Sequence, residues 1–346
     1  MSLLSYSGVT TKVRAMSGKL LTKDDYLALC STSSVQEFVN YLKGKKPYET
    51  VFSQVHIESL HRGDIEKLLT KGIYADFSKI YRFSGSVQRD YLKLHFMKYQ
   101  VEIIKSCLRM IFDKRKPELN LKLYQAFFLK HSNMDLVKLT SSTTISELVE
   151  NLKGTVFYQP LSKLLPIEKP TLFDYELQLD LFYFVTFYKN CSKLLKGEDL
   201  ELVKNSLGIQ IDLLNIQWIY RAKKYLKLSN VDLYKIIIPI HHKIKLAQIQ
   251  KLVEAESIEV FGHFLNTTYY GNKFTTLDNY SLEDAFTQLH EKINKTDSRK
   301  NPYSIAVIKS YLYNKEKEVK KLTTVLECVR YGYDPKQIEE YLKTEV

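Results

Sequence analysis

Glycine and proline are scarce: 12 and 8 among 346 residues, about half of the ~12% that the two make up in ordinary proteins. So few chain breakers exclude a loop-rich sandwich or propeller and favour long helices. No apolar run approaches the roughly 20 residues that a membrane-crossing helix needs. The two most apolar, Leu181 to Phe187 and Ile236 to Ile240, are far too short. Cysteine is sparse as well. Cys30, Cys107, Cys191 and Cys328 lie 77, 84 and 137 residues apart, and these spacings match no zinc or redox pattern. They read as small buried hydrophobes. Met1 to Val9 has no basic flank leading into an apolar stretch, so no signal peptide is read there. Isolated thiols without such a signal fit a reducing cytoplasm. Phosphate-cradling and nucleophile loops are missing too. Gly18-Lys19 is followed by Leu20 and Gly44-Lys45 by Lys46, so neither opens a P-loop. No Gly-x-Gly-x-x-Gly and no Gly-x-Ser-x-Gly occurs. The expectation is a chain with no catalytic residues, no cofactor site and no metal site of its own.

The length suggests two or three units at about 150 residues each, and 45% hydrophobic residues exclude wholesale disorder. A formal net charge of +12 favours acidic partners or anionic surfaces without naming one. The denser basic spots are Lys43 to Lys46, Lys114 to Lys116, Lys223-Lys224, and Lys243 with Lys245. Many fall at expected helix ends, where cations complement the dipole. No recognised nucleic-acid module is present, although 25 tyrosines could stack on bases. Histidines give little: His56-Ile57-Glu58 lacks the Pro-Cys-x-x-Cys of a deaminase. His56 and His61 are five apart, and His241 and His242 are adjacent, so neither pair shares one helix face as zinc ligands would. Two other classes stay open on these grounds: a basic helical-repeat adaptor for nucleic acid or protein, and an enzyme assembled from distant residues such as His95 and His131.

Three windows lack both breakers: Ser86 to Lys116, Ile209 to Ile238 and Tyr303 to Tyr331. Each carries apolar residues at three- and four-residue steps, as in Ile209, Leu213, Ile216 and Ile219, which lays an apolar stripe along a helix. Each follows another helical candidate: Ile65 to Tyr81, Phe173 to Leu195 and Leu282 to Lys292. The expected picture is three long antiparallel helix pairs. A short segment also recurs at an offset of 110 and then 112: SVQEFVNYLKGKKPY from Ser34, TISELVENLKGTVFY from Thr144 and ESIEVFGHFLNTTYY from Glu256. Ser34 with Glu37, and Thr144 with Glu147, have the spacing of a capping box, the carboxylate reaching back to the cap. Leu42, Leu152 and Phe264 fall on the buried face. Gly44 and Gly154 are expected to stop the helix in the left-handed region, with Asn266 in their place in the third copy. There Glu256 replaces the hydroxyl cap, which predicts a weaker start, and Glu259 takes the place of Glu37. Tyr48, Tyr158 and Tyr270 close the three copies, as packing residues or as contacts for a partner. This predicts an all-α protein of three repeats, residues 1–115, 116–227 and 228–346.

The triplicated short helix, the long helix pairs and an opening with Tyr6, Val13-Arg14-Ala15-Met16 and Leu20-Leu21 together resemble the central-stalk family of V/A-type rotary ATPases, known as the C subunit in bacteria and archaea and the d subunit in eukaryotes. Asp212-Leu213-Leu214-Asn215-Ile216, followed by Arg221, also looks like a family segment, with a loose counterpart at Glu318-Val319. The resemblance covers essentially the whole chain. It implies a non-catalytic part, an all-helical funnel of three pseudo-symmetric units and one copy per complex. Such a protein sits between the shaft of the ATP-hydrolysing head and the membrane proteolipid ring. It couples ATP turnover or synthesis to proton or sodium transport, peripheral at the cytoplasmic face and without nucleic acid. The resemblance assigns no contact residue. Local charge and position at helix ends suggest Arg14, Lys45 and Lys46 as a basic rim for those partners.

Overall fold

A computed structural model of the chain describes residues 3–53, 62–114, 121–273 and 279–344. Its helices, in chain order, are α1 (Leu3–Ser17), α2 (Lys23–Cys30), α3 (Val35–Lys43), α4 (Lys46–Phe52), α5 (Arg62–Phe83), α6 (Ser86–Phe112), α7 (Lys122–His131), α8 (Leu136–Ser141), α9 (Ile145–Glu150), α10 (Tyr158–Ser162), α11 (Leu172–Leu194), α12 (Gly197–Arg221), α13 (Asn230–Ile236), α14 (Leu246–Glu254), α15 (Ile258–Asn266), α16 (Asn279–Lys300), α17 (Ile305–Arg330) and α18 (Pro335–Thr344). The protein is all-helical: no strand occurs among the described residues. The chain forms two compact units, residues 1–88 with 278–346, and residues 89–277.

In the first unit α17 is the central element, packed against α1, α2, α3, α5, α16 and α18. Its sequence dictates that place. Ile305, Ile308, Leu312, Val319, Leu322, Val325 and Leu326 form one broad apolar face and are all buried, and so wide a face must be covered by several neighbours. Ser304 starts it by accepting the Ala306 N–H at 3.2 Å. In the second unit α12 takes the equivalent role against α11 and α14, burying Val203, Leu207, Ile211, Ile216 and Ile219. The part of α6 in this unit packs on α11. There Tyr91 meets Phe187 edge-on at 6.2 Å, and Lys105 and Arg109 each pair with an acid, Asp180 and Glu176, at 2.6 Å. All four cysteines are free and buried.

Two of the three breaker-free windows correspond to α6 and α17. The second is displaced. Instead of spanning 209–238, the helix is α12, beginning at Gly197 and continuing into a π-helical turn at Ala222–Leu226. Lys227 ends it in the left-handed region at φ 49°, and 230–236 is a separate helix. Glycine was the misleading signal. Gly208 lies inside α12 because a Cβ there would come within 2.4 Å of His242 Cγ. His242 is pinned at that spot, its N–H held by Asp212 Oδ1 at 3.1 Å and its Nε2 3.1 Å from Asn205 Oδ1.

The repeated short helix is α3, α9 and α15. Ser34 and Thr144 cap the first two, each hydroxyl accepting the N–H of Glu37 or Glu147 at 3.2 Å. The carboxylates reach one residue further back than a reciprocal box requires, to the N–H and hydroxyl of Ser33 and Thr143. Phe38, Val39, Leu42, Leu148, Val149 and Leu152 are fully buried. The third copy is shifted by one residue. Ser257, not Glu256, is the cap and accepts the Val260 N–H at 3.3 Å, so the third start has its hydroxyl after all. The shift turns Phe261 and Leu265 inward and leaves Phe264 half-buried. The stops differ too. Only Gly154 is left-handed, at φ 84°. Gly44 is right-handed at φ −72°, because the chain turns directly into α4, and Asn266 is simply the last residue of α15.

Gly208→Ala is expected to destabilise the protein by about 1–3 kcal/mol through overpacking, although helix propensity alone predicts a gain of about 1 kcal/mol. Urea unfolding decides between the two. Removing the obstructing ring with His242→Ala should make the double variant less unstable than the sum of the singles.

Candidate functional site

The chain's buried polar chemistry is concentrated where short helices meet the long central ones. In the second unit Asp212 is fully buried on α12. Its Oδ1 accepts the His242 N–H at 3.1 Å, and its Oδ2 accepts the N–H groups of Lys243 at 2.6 Å and Ile244 at 3.1 Å and the hydroxyl of Tyr270 at 3.0 Å. One turn along, Asn215 exchanges two hydrogen bonds with the backbone of Ile238, at 2.9 and 3.0 Å. The two side chains thus supply to a loop the partners that a second backbone would otherwise provide. In the first unit Glu318 is wired in the same way. Its Oε2 accepts the Leu21 N–H at 2.6 Å, and its Oε1 accepts the Tyr48 hydroxyl at 2.5 Å and the Lys315 ammonium at 2.7 Å. Lys315 also donates to the Tyr48 hydroxyl at 3.0 Å. Burial, and then the neighbouring carboxylate, push the Tyr48 and Tyr270 phenols well above their ordinary range, so both stay protonated donors.

The middle copy is tied differently. Leu21, Met134 and Ile244 each stand two residues before a short helix. Glu318 and Asp212 accept the backbone N–H groups of Leu21 and Ile244, whereas Gln100 on α6 donates to Met134 Sδ at 3.3 Å and the Met134 N–H goes to Ser132 Oγ at 3.3 Å. The buried aromatic of this copy is Phe157, against Phe182 at 5.8 Å.

These contacts decide which tyrosines are available outside. Tyr48 and Tyr270 are fully buried, and so present no surface to a partner. Their hydroxyls and rings are committed to the interior. Tyr158 is half-buried, with the Lys153 ammonium 5.8 Å from its ring. Of the three cations, Arg14 is exposed, its guanidinium 5.7 Å from the ring of Tyr303, and Lys46 is exposed at the start of α4. Lys45 pairs with Asp25 at 2.5 Å and lies over the Tyr41 ring. Burial raises the Asp25 carboxyl, but hydrogen bonds from Lys45, Thr22 and Tyr41 outweigh it and hold the group well below its usual range.

The histidines do not converge. His95 lies 3.3 Å from the Tyr99 hydroxyl, and His131 packs on the rings of Phe127 and Phe96. His56, Glu58, His61, Arg115 and Lys116 lie outside the described residues. Lys315 and the pairing of Asp76 with Tyr311 at 2.7 Å had no counterpart in the sequence reading. A charged residue between apolar neighbours on a long helix was the available signal.

Asp212→Asn should destabilise the chain by about 3 kcal/mol, since each buried donor left without an acceptor costs about 1–3 kcal/mol. Tyr270→Phe should cost about 1.5–3 kcal/mol, the range for a hydrogen bond to a charged group. Phe157→Tyr should also destabilise, because it puts a hydroxyl on a fully buried ring packed against Phe182. Equal tolerance of all three in urea unfolding would remove the distinction between charged and neutral copies.

The acid limb of stability follows from the capping carboxylates. Hydrogen bonds from Ser33 and Thr143 lower Glu37 and Glu147 below 4.5, and Asp25 lies below 3.8. Groups more acidic in the fold than in the unfolded chain stabilise fully above their unfolded values, and that contribution is lost as the pH falls through the folded ones. The stability gap between wild type and Asp25→Asn should therefore be constant above about pH 5 and shrink progressively below about pH 4, read from urea midpoints.

Comparison with known proteins identifies the lineage. The family model described as ATP synthase (C/AC39) subunit matches residues 9–341. The C subunit of the A-type ATP synthase of Pyrococcus abyssi is 24% identical over 344 residues, covering 97% of this chain and 89% of that protein. The protein of the same name from Thermococcus kodakarensis is 25% identical, covering 97% and 90%. That from Methanosphaera stadtmanae is 22% identical, covering 99% and 89%. With the family match spanning nearly its whole length, this chain belongs to the ATP synthase (C/AC39) subunit family.

Proposed function

We propose that the chain is the non-catalytic central-stalk subunit of a V/A-type rotary ATPase, joining the shaft of the ATP-hydrolysing head to the proteolipid ring at the cytoplasmic face of the membrane. The observation that carries this reading is the family match over residues 9–341. The build of the chain supports it. A part that transmits torque must resist bending and twisting, and long helices with buried polar ties at their flanks suit that demand. No helix among the described residues is long and apolar enough to cross a membrane, so attachment to a ring would run through protein contacts. Three related helical units, residues 1–115, 116–227 and 228–346 arranged as a funnel, belong to the same proposal. They draw support from the recurring short helix and from the matched acids Asp212 and Glu318, each accepting a loop N–H and a tyrosine hydroxyl.

The basic rim of this proposal rests on Arg14 and Lys46, since Asp25 already neutralises Lys45. Arg14→Glu with Lys46→Glu should weaken binding to purified shaft proteins or to ring-containing membranes at least ~10-fold, about 1.4 kcal/mol, without shifting the melting temperature. Lys45→Glu should lower stability instead. Unchanged affinity of the double variant for both partners rejects the rim. Failure of the wild-type chain to co-purify with the rotary complex rejects the role.

A further inference from the structure

A concave pocket of about 140 Å³ in the first unit gathers Lys12, Lys19, Lys46 and Lys79 around Asp76 and Tyr311, with the rest of its wall apolar. The lysines come from α1, the turn after it, the first residue of α4 and α5. Folding therefore draws together four like charges from separate parts of the chain. The single carboxylate is already engaged on both oxygens. Asp76 Oδ1 accepts Lys79 at 2.9 Å and Oδ2 accepts the Tyr311 hydroxyl at 2.7 Å. Lys12, Lys19 and Lys46 have no ion-pair partner among the described residues. Lys12 has only the ring of Phe83, 5.1 Å away. Elsewhere the chain does neutralise such groups: Lys45, the immediate neighbour of Lys46, is paired to Asp25.

We propose that this pocket binds a phosphate group. Three uncompensated ammonium ions around one concavity make a local positive potential that a compact dianion matches better than a monovalent ion does. The concavity has room for a tetrahedral oxyanion of five heavy atoms. Ammonium groups on flexible stems can each take one oxygen as point charges, without the planar fork that would demand a carboxylate. Asp76 and Tyr311 fix the position of Lys79 and leave the three remaining cations to the ligand. The phosphate can be free in solution or can belong to a lipid headgroup, since both present the same oxyanion.

The full-length chain is titrated calorimetrically at low ionic strength with inorganic phosphate and with pyrophosphate. In parallel it is sedimented with phosphatidylglycerol vesicles and with phosphatidylcholine vesicles. Heat with the soluble anions assigns a free phosphate. Sedimentation confined to the phosphatidylglycerol vesicles, without such heat, assigns a headgroup. Lys19→Glu with Lys46→Glu should weaken the binding at least ~10-fold and make it less salt-dependent. Both side chains are exposed, so the melting temperature should hold, and Lys19→Gln with Lys46→Gln should show the same loss without charge reversal. The same charge change in the second unit, Lys122→Glu with Lys130→Glu, should leave it intact. Absence of binding to all four probes overturns the proposal, as does an equal loss in the control pair. Lys46 belongs to both the rim and the pocket, so Arg14→Glu alone, at a residue outside the pocket, separates the two: it should weaken assembly and leave the binding of phosphate or vesicles unchanged.

Discussion

A buried carboxylate that gathers loop N–H groups and a tyrosine hydroxyl is the interaction on which the arrangement of short helices depends. Segments between helices carry backbone donors that no intrahelical acceptor can reach, and burying them unpaired is costly. Asp212 settles three such donors at 242–244, and Asn215 settles the backbone of Ile238. Taking the charge out of water is itself unfavourable. Four hydrogen bonds offset that cost, and each is directional. The result fixes one loop at one height along α12, which apolar packing alone, being non-directional, would leave free to slide.

The middle copy is held in another way. Its buried aromatic is Phe157, which packs on Phe182, and Gln100 bonds the side chain of Met134 and not its backbone. Glu318 adds a further level, since Lys315 neutralises it inside the core with the Lys315 side chain 1% exposed. Removing either member of that pair would strand the other, so the ammonium, carboxylate and phenol form one unit.

Much of the helical plan was legible in the sequence because it rests on local chemistry. Scarce glycine and proline, apolar periodicity and hydroxyl caps at Ser34 and Thr144 act within four residues. The errors came where a distant contact overrode the local signal. Gly208 looked like a boundary until His242, 34 residues on, accounted for it. The third copy slid by one residue because the alignment favoured Glu256 over the neighbouring Ser257. Which residues face inward is decided by the cap that sets the phase of the helix. Packing was one of the two readings of the recurring tyrosines, but the acids that hold Tyr48 and Tyr270 were not visible, because they lie 270 and 58 residues away.

The same distinction between engaged and free charge organises the surface. A formal charge of +12 says little until each cation is assigned a partner. Lys105, Arg109, Lys45 and Lys315 hold helices or loops together through specific acids. Their charge is consumed by the fold and cannot steer a partner. Arg14, Lys12, Lys19 and Lys46 stand in the remaining class, as do exposed lysines elsewhere such as Lys122 and Lys130. Electrostatic recognition depends on such uncompensated groups, because paired ones present only a dipole at a distance. A basic chain of this kind therefore meets its acidic neighbours through the lysines and arginines that its own acids leave unpaired, and the pairs within the fold determine which ones those are.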